Sequence, residues 1–518
     1  MDDTVLVSFD DFITHWARER PDATVLQESG RQLSFAGLEK FSRQTAAALN
    51  SAGVAKGDRI AWFGKNSDLY FQLLFSAGRA GIVTVPVGWR LAPMEAEFIF
   101  RDTEAKLIFA GDEFVDSARE IAARLPNKPR VVSASEARDW FAGTPEPEEY
   151  TPAGPDDAVL QLYTSGTTGN PKGAVLSSRN LFGLRAAGAN SGLAWSMYDD
   201  DEAILVCMPC AHIGGTGLGV MALGAGVRGI VQSEFSAEGV FEALRQGITR
   251  FFIVPAALQM VIQHSEAANA DFSRLRFVMY GAAPIPLELL RQAVETIPNA
   301  GFVQCYGMTE TTGTIAALPP EDHDLNGNER MRSAGKALPG VEIRIIGDDG
   351  NELPLGQVGE VATRSSNNML EYWKLPDATA KTVTPDGWVR TGDAAYMDAD
   401  GYVYIQDRIK DMIITGAENV YPAEVESAIY GHPDVAEVAV IGVPDAKWGE
   451  AVKACVVPKP GHAVDPASVI AWTRERIAGF KVPKSIDVID ALPRNPTGKI
   501  MRRSLREPYW EGMDRQVN

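Results

Sequence analysis

The sequence predicts an α/β protein with two domains, and three observations lead to this fold class. Patterns typical of strands and helices alternate through the first four hundred residues, which indicates parallel sheets covered by helices. Near Gly340 the pattern changes to short strands separated by turns, which indicates a β-rich subdomain. After Arg408 a stretch with both kinds of element is long enough for a compact second domain. We therefore predict a large N-terminal domain (1–408) of parallel α/β subdomains plus a β-rich subdomain, and a small α+β C-terminal domain (409–518).

The elements of the parallel region are predicted from apolar periodicity and from capping residues. Ser34 is expected to cap a helix that ends near Gly53, and a second helix is expected from Asn66 or Ser67 to Ala80. Further helices are predicted at 235–245 and 286–296. Short apolar runs bounded by turn residues predict strands at 59–63, 82–87, 158–163, 173–176, 203–206, 228–231, 251–255, 276–280 and 301–305.

The later elements follow from turns and from prolines. In the β-rich subdomain, strands are predicted at 341–346, 359–364, 396–398 and 402–406. In the C-terminal domain, helices are predicted at 422–430, with proline in the first turn, and at 466–477. Strands are predicted there at 435–443, 451–457 and 486–489. The polar stretch 406–411 is the expected boundary between the domains.

Composition excludes several functional classes. The chain has 518 residues and a net charge of −19, which argues against binding to nucleic acid or to an anionic membrane. No apolar run reaches the length of a transmembrane segment, and the acidic N-terminus lacks the positive region of a signal peptide. We therefore expect a cytoplasmic protein that binds neither nucleic acid nor an anionic membrane.

The stretch from Leu162 to Leu176, LYTSGTTGNPKGAVL, is the most informative in the chain. It places hydroxyl groups, glycines and one lysine in a loop between two predicted strands. Glycines let the backbone approach a ligand closely, and successive amide groups in such a loop form an anion-binding concavity. Lys172 adds a positive charge on a flexible stem. The spacing differs from that of a Walker P-loop, but it favours a polyphosphate site over a polar surface loop.

Five further segments carry residues suited to binding or catalysis. Crevices at the carboxyl ends of parallel strands are where such sheets bind ligands, and the first two segments each end a predicted strand. Taken singly, each segment is also compatible with an ordinary turn or an exposed loop. The segments are YGAAP (280–284), YGMTE (306–310), RTGD (390–393), DRIKD (407–411) and PRNPTGKI (493–500).

Together and in this order, these segments resemble the adenylate-forming superfamily of acyl-CoA synthetases, luciferases and peptide-synthetase adenylation domains. The resemblance runs from about Phe9 to Arg503, and its motifs are TSGTTGNPKG, YGMTE, TGD, DRIKDMI, GAENVYPAEVE and NPTGK. It is strongest to the acyl-CoA synthetase, or fatty-acid–CoA ligase, branch. The resemblance implies that ATP and a carboxylate give an acyl-AMP and pyrophosphate, and that a thiol then displaces AMP. The implied cofactors are ATP, Mg²⁺ and coenzyme A.

The resemblance also implies a role for individual residues. Lys499, Lys172, Glu310 and Thr309 are the implied catalytic residues, and Glu310 and Thr168 the implied Mg²⁺ ligands. The implied nucleotide-binding residues are Thr164, Ser165, Gly166, Thr167, Thr168, Gly169, Gly281, Ala282, Ala283, Pro284, Tyr306, Gly307, Met308, Asp393 and Arg408. The implied acyl pocket contains His212, Ile213, Gly214, Gly215 and Gly307. Lys410 is the implied hinge of a mobile C-terminal domain, and Gly416, Ala417 and Glu418 line the implied coenzyme A tunnel.

The substrate acid is constrained less tightly. In acetate-specific relatives a tryptophan at the position of Gly307 shortens the pocket, so glycine predicts an acid larger than acetate. No Asp or Glu lies between Pro209 and Gly226, which disfavours an amino acid. A medium-to-long aliphatic acid is favoured, and aryl and other small carboxylic acids stay open. The alternatives are an acyl-AMP ligase that loads a carrier protein, a luciferase-like oxygenase and a non-enzymatic nucleotide-binding scaffold. A homodimer also stays open.

Overall fold

The computed structural model of the chain describes residues 6–147, 151–164, 171–324, 326–408, 411–415, 418–445, 447–494 and 500–511, with only the backbone for Arg408. It confirms the predicted α/β class, with parallel sheets in the N-terminal part, a β-rich part and a small C-terminal part. Among these residues, no helix is both long and apolar enough to span a bilayer.

The N-terminal part alternates strands and helices. The helices are α1 (Phe9–Glu19), α2 (Phe35–Ser51), α3 (Asp68–Arg79), α4 (Pro93–Thr103), α5 (Val115–Arg124), α6 (Ala134–Gly143), α7 (Ser178–Phe182), α8 (Arg185–Asn190), α9 (Ile213–Ala225), α10 (Ala237–Arg245), α11 (Pro255–Ile262) and α12 (Leu287–Thr296). The strands are β1 (Thr24–Glu28), β2 (Arg31–Ser34), β3 (Arg59–Gly64), β4 (Val83–Gly88), β5 (Leu107–Ala110), β6 (Arg130–Ser133), β7 (Ala158–Thr164), β8 (Lys172–Ser177), β9 (Ala203–Val206), β10 (Arg228–Val231), β11 (Arg250–Ile253), β12 (Phe277–Gly281), β13 (Gly301–Met308), β14 (Gly313–Leu318) and β15 (Lys336–Ala337).

The remaining elements form the β-rich part and the C-terminal part. The β-rich part contains β16 (Glu342–Ile346), β17 (Gly359–Arg364), β18 (Glu371–Tyr372), α13 (Pro376–Thr382), β19 (Val389–Met397) and β20 (Val403–Arg408). The C-terminal part contains β21 (Ile413–Thr415), β22 (Glu418–Val420), α14 (Pro422–Tyr430), β23 (Val435–Asp445), β24 (Gly449–Pro458), α15 (Pro466–Arg474), β25 (Ser485–Val488) and α16 (Arg502–Trp510).

Two mainly parallel sheets form the body of the molecule. One has the strand order β15-β14-β13-β12-β11-β9-β10-β1-β2, and the other has the order β18-β8-β7-β4-β3-β5-β6. Every residue of α3 is buried, and its two charged residues are paired, Asp68 with Arg138 and Arg79 with Glu39. Strands β12 and β13 run parallel with Gly281 opposite Cys305, so their carboxyl ends lie side by side. This edge is where the predicted nucleotide-binding segments begin.

A separate antiparallel sheet, β16-β17-β19-β20, forms the β-rich part, and Asp393 lies on its strand β19. The C-terminal sheet pairs β22, β21, β24 and β23 antiparallel and adds β25 parallel to β24. Near the predicted boundary, the Asp407 carboxylate accepts a hydrogen bond from the Ala423 amide at 3.0 Å. The predicted domain boundary between residues 408 and 409 stays a prediction, because it is defined by which residues move together.

Several local features differ from the sequence prediction. Helix α1 was not predicted, although Ser8 and Asp11 form a capping box at its start. The predicted strand at 251–255 ends at Ile253, because Pro255 begins α11 as its first residue. The glycine-rich run after His212 was predicted only as a pocket wall, and it is helix α9, which ends at Gly226 with a φ of 71°.

Candidate active site

The adenine end of the predicted site is built from a close approach of β12 to β13. A Cβ atom at Gly281 would lie 2.1 Å from the carbonyl oxygen of Cys305, so no larger residue fits there. The next residue, Ala282, has a φ of 64°, which costs about 1–3 kcal/mol for a residue other than glycine. Local strain of this kind is typical of ligand-binding sites, and here it lies at the carboxyl edge of the sheet. Ala283 and Pro284 continue this turn, and Pro284 is exposed.

Tyr306 and Asp393 come together across two different sheets. The Tyr306 hydroxyl, on β13, donates a hydrogen bond of 2.7 Å to the Asp393 carboxylate, on β19. Asp393 is buried and lies opposite Arg408 in the pairing of β19 with β20. The structure therefore brings together two predicted nucleotide-binding residues that are 87 positions apart.

Glu310 is the centre of a second cluster. Its carboxylate is 5% exposed and accepts hydrogen bonds from the Tyr372 hydroxyl at 2.6 Å and from the Thr164 hydroxyl at 3.5 Å. Thr164 and Lys172 are paired in register at the ends of β7 and β8, which flank the glycine-rich loop. The Lys172 ammonium lies 4.9 Å from the centre of the Tyr372 ring. The flanks of the loop therefore converge on the carboxylate.

The donor set around Glu310 fits a hard divalent cation. Within the described parts of the chain, Glu310 forms no salt bridge, and its buried carboxylate accepts hydrogen bonds from two neutral hydroxyl groups. A buried carboxylate in this state is costly unless a cation or a proton compensates it. Carboxylate and hydroxyl oxygens are the ligands that Mg²⁺ prefers. Thr309 is half-buried beside Glu310, in the same single helical turn, Thr309–Thr311.

Tyr372 is a functional candidate that sequence reasoning missed. It lies on β18, which pairs with β8 so that Tyr372 is opposite Ala174. Its neighbour Trp373 donates from its indole nitrogen to the Asp102 carbonyl at 3.0 Å and lies under the Arg59 guanidinium at 3.3 Å. These contacts hold the strand against the sheet and fix the direction of the tyrosine. The adjacent aromatic residues in EYW were a signal, but nothing in the sequence linked them to Glu310.

The predicted acyl pocket is centred on the start of α9. Burial lowers the pKa of His212 to about 4, so the imidazole is neutral at physiological pH. Ile213, Gly214, Gly217 and Met221 form the half-buried face of the helix, whereas most of its other residues are fully buried. A Cβ atom at Gly214 would lie 3.2 Å from the Phe252 ring. The open face of α9 is therefore lined by small and apolar groups.

Two of the glycines predicted to line the acyl pocket are instead explained by close packing against backbone. A Cβ atom at Gly215 would lie 2.3 Å from the carbonyl oxygens of Met208 and Pro209, so this residue faces backbone. A Cβ atom at Gly307 would lie 1.8 Å from the Gly313 carbonyl oxygen, at an irregularity in the pairing of β13 with β14. Close packing of two strands therefore accounts for glycine at 307. The argument from Gly307 to the size of the acid gains no support from this geometry.

The other predicted site residues stay predictions. Met308 ends β13 and Glu418 begins β22, where it is exposed. Arg408 ends β20. The predicted residues that lie outside the described ranges are Ser165, Gly166, Thr167, Thr168, Gly169, Lys410, Gly416, Ala417 and Lys499.

Comparison with known proteins identifies the family of this site. A family model of AMP-binding enzymes matches residues 13–373, and a model of the AMP-binding enzyme C-terminal domain matches residues 424–499. The chain belongs to the AMP-binding enzyme family. The resemblance to the adenylate-forming superfamily is thereby confirmed, and this AMP-binding enzyme is an AMP-forming acid–thiol ligase.

Relatives match the AMP-binding enzyme over nearly its whole length. A fatty acid–[acyl-carrier-protein] ligase, ScoC, from Streptomyces coeruleorubidus is 41% identical over 97% of this chain and 96% of its own. A feruloyl-CoA synthase from an Amycolatopsis species is 38% identical over 95% of this chain and 97% of its own. The crystal structure of ATP-bound MatB from Rhodopseudomonas palustris is 31% identical, covers 96% of this chain and 99% of its own, and has a TM-score of 0.87.

Proposed function

We propose that this enzyme joins a hydrophobic carboxylic acid to coenzyme A in two steps, through an acyl-adenylate formed from ATP with release of pyrophosphate. The observation that carries the proposal is the buried Glu310 carboxylate, which forms no salt bridge within the described parts of the chain and accepts hydrogen bonds from Tyr372 and Thr164. Four positions earlier, on strand β13, Tyr306 donates a hydrogen bond to Asp393. The end of β13 thus lies between a proposed cation site and a proposed nucleoside site, and adenylation requires both sites close together.

The proposed roles follow the resemblance and the contacts. Tyr306 and residues 281–284 bind adenine, and Asp393, with Arg408, binds the ribose hydroxyls. Residues 164–169 and Lys172 bind the phosphates. Glu310 and Thr168 hold Mg²⁺, which when bound neutralises charge on the phosphates. Thr309, Gly307 and Met308 shape the strand end beside the α-phosphate.

The chemistry explains why these charges are gathered. A carboxylate that attacks the α-phosphate brings two anions together, and the negative charge grows in the transition state. Lys172 and Lys499 supply positive charge at opposite ends of the triphosphate in this proposal. Removal of one preorganised contact of this kind typically costs about 3–4 kcal/mol, or two to three orders of magnitude in rate.

The C-terminal part provides the second step in this proposal. The family model for the C-terminal domain begins at 424, which agrees with a boundary near 408 and 409. A turn about Lys410 withdraws Lys499 and brings residues 416–418 to the carbonyl, where they line the path of the thiol. Rotation of one domain against another is a known switching mode.

The proposed acid is medium to long and aliphatic. The half-buried face of α9, with Gly214, Gly217 and Met221, offers apolar contact along about 10 Å of helix. The relative named a fatty acid ligase supports this choice. An aryl acid is the alternative, because a feruloyl-CoA synthase is also a close relative.

A carrier protein in place of coenzyme A is the second candidate. It is favoured by ScoC, whose name gives an acyl-carrier protein as the acceptor and which is 41% identical to this chain. The first step is identical for both acceptors, so the two candidates share every residue described above except those of the thiol path.

A pyrophosphate-release assay tests the proposal. A panel of aliphatic and aryl acids is supplied with ATP and Mg²⁺, and acyl-AMP and thioester are measured with coenzyme A, with a phosphopantetheinylated carrier protein, or with neither. We expect acid-dependent pyrophosphate release and a thioester with coenzyme A. A thioester with the carrier protein alone would select the second candidate, and no pyrophosphate release with any acid would refute both.

Tyr372→Phe tests the hydroxyl that holds Glu310. The ring that contacts Lys172 is kept, and the hydroxyl that donates to the Glu310 carboxylate is removed. Because hydrogen bonds to charged groups contribute about 1.5–3 kcal/mol, adenylation at limiting Mg²⁺ should fall roughly 10- to 100-fold. The rate is measured by pyrophosphate release across a Mg²⁺ titration.

Tyr402→Phe is the matched control. The Tyr402 hydroxyl also donates at 2.6 Å to a buried carboxylate, Asp322, but away from the loop and from Glu310. Equal effects of the two substitutions on the Mg²⁺ dependence would contradict a specific role for Tyr372.

A further inference from the structure

Within the described parts of the chain, the guanidinium group of Arg185 has no anionic partner. It begins α8 and is half-buried, and burial lowers its pKa. In the described parts of the chain it forms no ion pair, and its recorded contact is with the Tyr198 ring, 5.6 Å from the guanidinium carbon. A contact with an aromatic face stabilises a cation but leaves its charge uncompensated.

Arg250 contacts the same Tyr198 ring but, unlike Arg185, it pairs with a carboxylate among the described residues. Its guanidinium carbon lies 4.0 Å from the centre of Tyr198, and the side chain is fully buried. Arg250 donates to Glu202 at 2.9 Å and to the Trp195 carbonyl at 2.5 Å. Glu202 is also paired with Arg276. Glu202 is therefore shared by two other arginines, Asp199 also pairs with Arg276, and no carboxylate of the described residues pairs with Arg185.

Arg185 lies at the far end of the open face of α9. A Cβ atom at Gly224 would lie 3.2 Å from Cδ of Arg185, so glycine leaves room for the arginine stem. With 3.6 residues per turn, Gly214, Gly217, Met221 and Gly224 lie on one side of the helix. The first three are half-buried. Gly224 is fully buried against the Arg185 stem, so the half-buried part of this face ends at Met221, about one turn before the arginine.

The two ends of this face are about 15 Å apart, from ten residues at 1.5 Å each. Near the first end, a Cβ atom at Gly313 would lie 3.6 Å from the Ile213 side chain, next to the strand end that carries Glu310. An extended chain advances about 3.5 Å for every three bonds. Allowing for the length of the arginine itself, an acyl chain of about ten to twelve carbons spans the distance.

We propose that Arg185 binds a second carboxylate at the distal end of the substrate, so that the preferred acid is a dicarboxylic acid of about ten to twelve carbons. This assignment rests on the proposed function and specifies its substrate class. A carboxylate enters a half-buried site at low cost only where it is paired, and a guanidinium pairs with it through two parallel hydrogen bonds. The apolar face of α9 holds the methylene groups between the two carboxylates.

The test compares acids that differ only at the distal end. Pyrophosphate release is measured with dodecanoic acid and with dodecanedioic acid for the wild type, Arg185→Met and Arg185→Lys. Methionine keeps an unbranched stem and removes the charge. We expect Arg185→Met to lower kcat/KM for the diacid about 10- to 100-fold and to leave or raise kcat/KM for the monoacid. Arg185→Lys should retain part of the preference for the diacid.

Arg179→Met is the matched control. Arg179 is half-buried like Arg185, precedes it by six positions and pairs with Asp156 at 2.6 Å. Thermal midpoints of all variants show whether a loss reflects folding. An equal loss on both acids in Arg185→Met, or a wild type that fails to activate the diacid, would overturn the assignment while the monoacid still supports the proposed function. No pyrophosphate release with either acid, nor with any other acid, would overturn both.

Discussion

Glu310→Gln is expected to lower the rate of acyl-adenylate formation by two to three orders of magnitude, the loss typical of about 3–4 kcal/mol of transition-state stabilisation. Glutamine has nearly the same shape and still offers an oxygen to the Tyr372 hydroxyl. What it lacks is the negative charge, which is buried and unpaired among the described residues. The variant should therefore fold normally and bind Mg²⁺ poorly.

The measurements are pyrophosphate release at saturating ATP and the Mg²⁺ dependence of ATP binding by calorimetry. The second readout does not depend on turnover. Glu321→Gln is the control, because this carboxylate is exposed and lies outside the cluster around Glu310. A Glu310→Gln enzyme with a wild-type rate and an unchanged Mg²⁺ dependence would refute the cation site.

Lys499→Ala is expected to have an effect of similar size, confined to the first half-reaction. In the proposed mechanism the Lys499 ammonium bridges the attacking carboxylate and the α-phosphate, and its removal restores the repulsion between the two anions. Adenylation should fall by about two to three orders of magnitude. Conversion of preformed acyl-AMP to acyl-CoA should continue, because the lysine is withdrawn during that step.

Each half-reaction is assayed separately, by pyrophosphate release and by AMP release from synthetic acyl-AMP with coenzyme A. Lys484→Ala is a suitable control, since this lysine is exposed in the same C-terminal part. Normal pyrophosphate release from Lys499→Ala, or an equal loss in both half-reactions, would contradict the assigned role.

Local patterns predicted much of the fold. The strand predicted at 59–63 is Arg59–Gly64, and the helix predicted from 66 or 67 to 80 is Asp68–Arg79, capped by Ser67. These elements carry their own apolar period and capping residue. Helix α9 carries neither: its glycines have low helix propensity, and buried contacts such as that of Gly219 with the Phe71 ring stabilise it instead.

The candidate site was predictable only where its residues form contiguous motifs. Glu310 and Asp393 stood out because their neighbours in sequence belong to recognisable segments. Tyr372 reaches Glu310 from 62 positions away, through the pairing of a two-residue strand. The role proposed for Arg185 depends on Gly224 and Tyr198, which approach it only after folding. Contacts of this kind leave no periodicity for a single sequence to show.

The hydrogen bond between Tyr306 and Asp393 has a consequence for how the protein unfolds. Its two residues belong to the parallel sheet and to the antiparallel β-rich sheet. In the proposed function a nucleotide binds both side chains and so joins the two sheets, and a ligand that binds only the native arrangement stabilises it by mass action. With the nucleotide bound, we expect that the β-rich sheet no longer unfolds before the parallel sheet, and that heat unfolds both sheets in one cooperative transition.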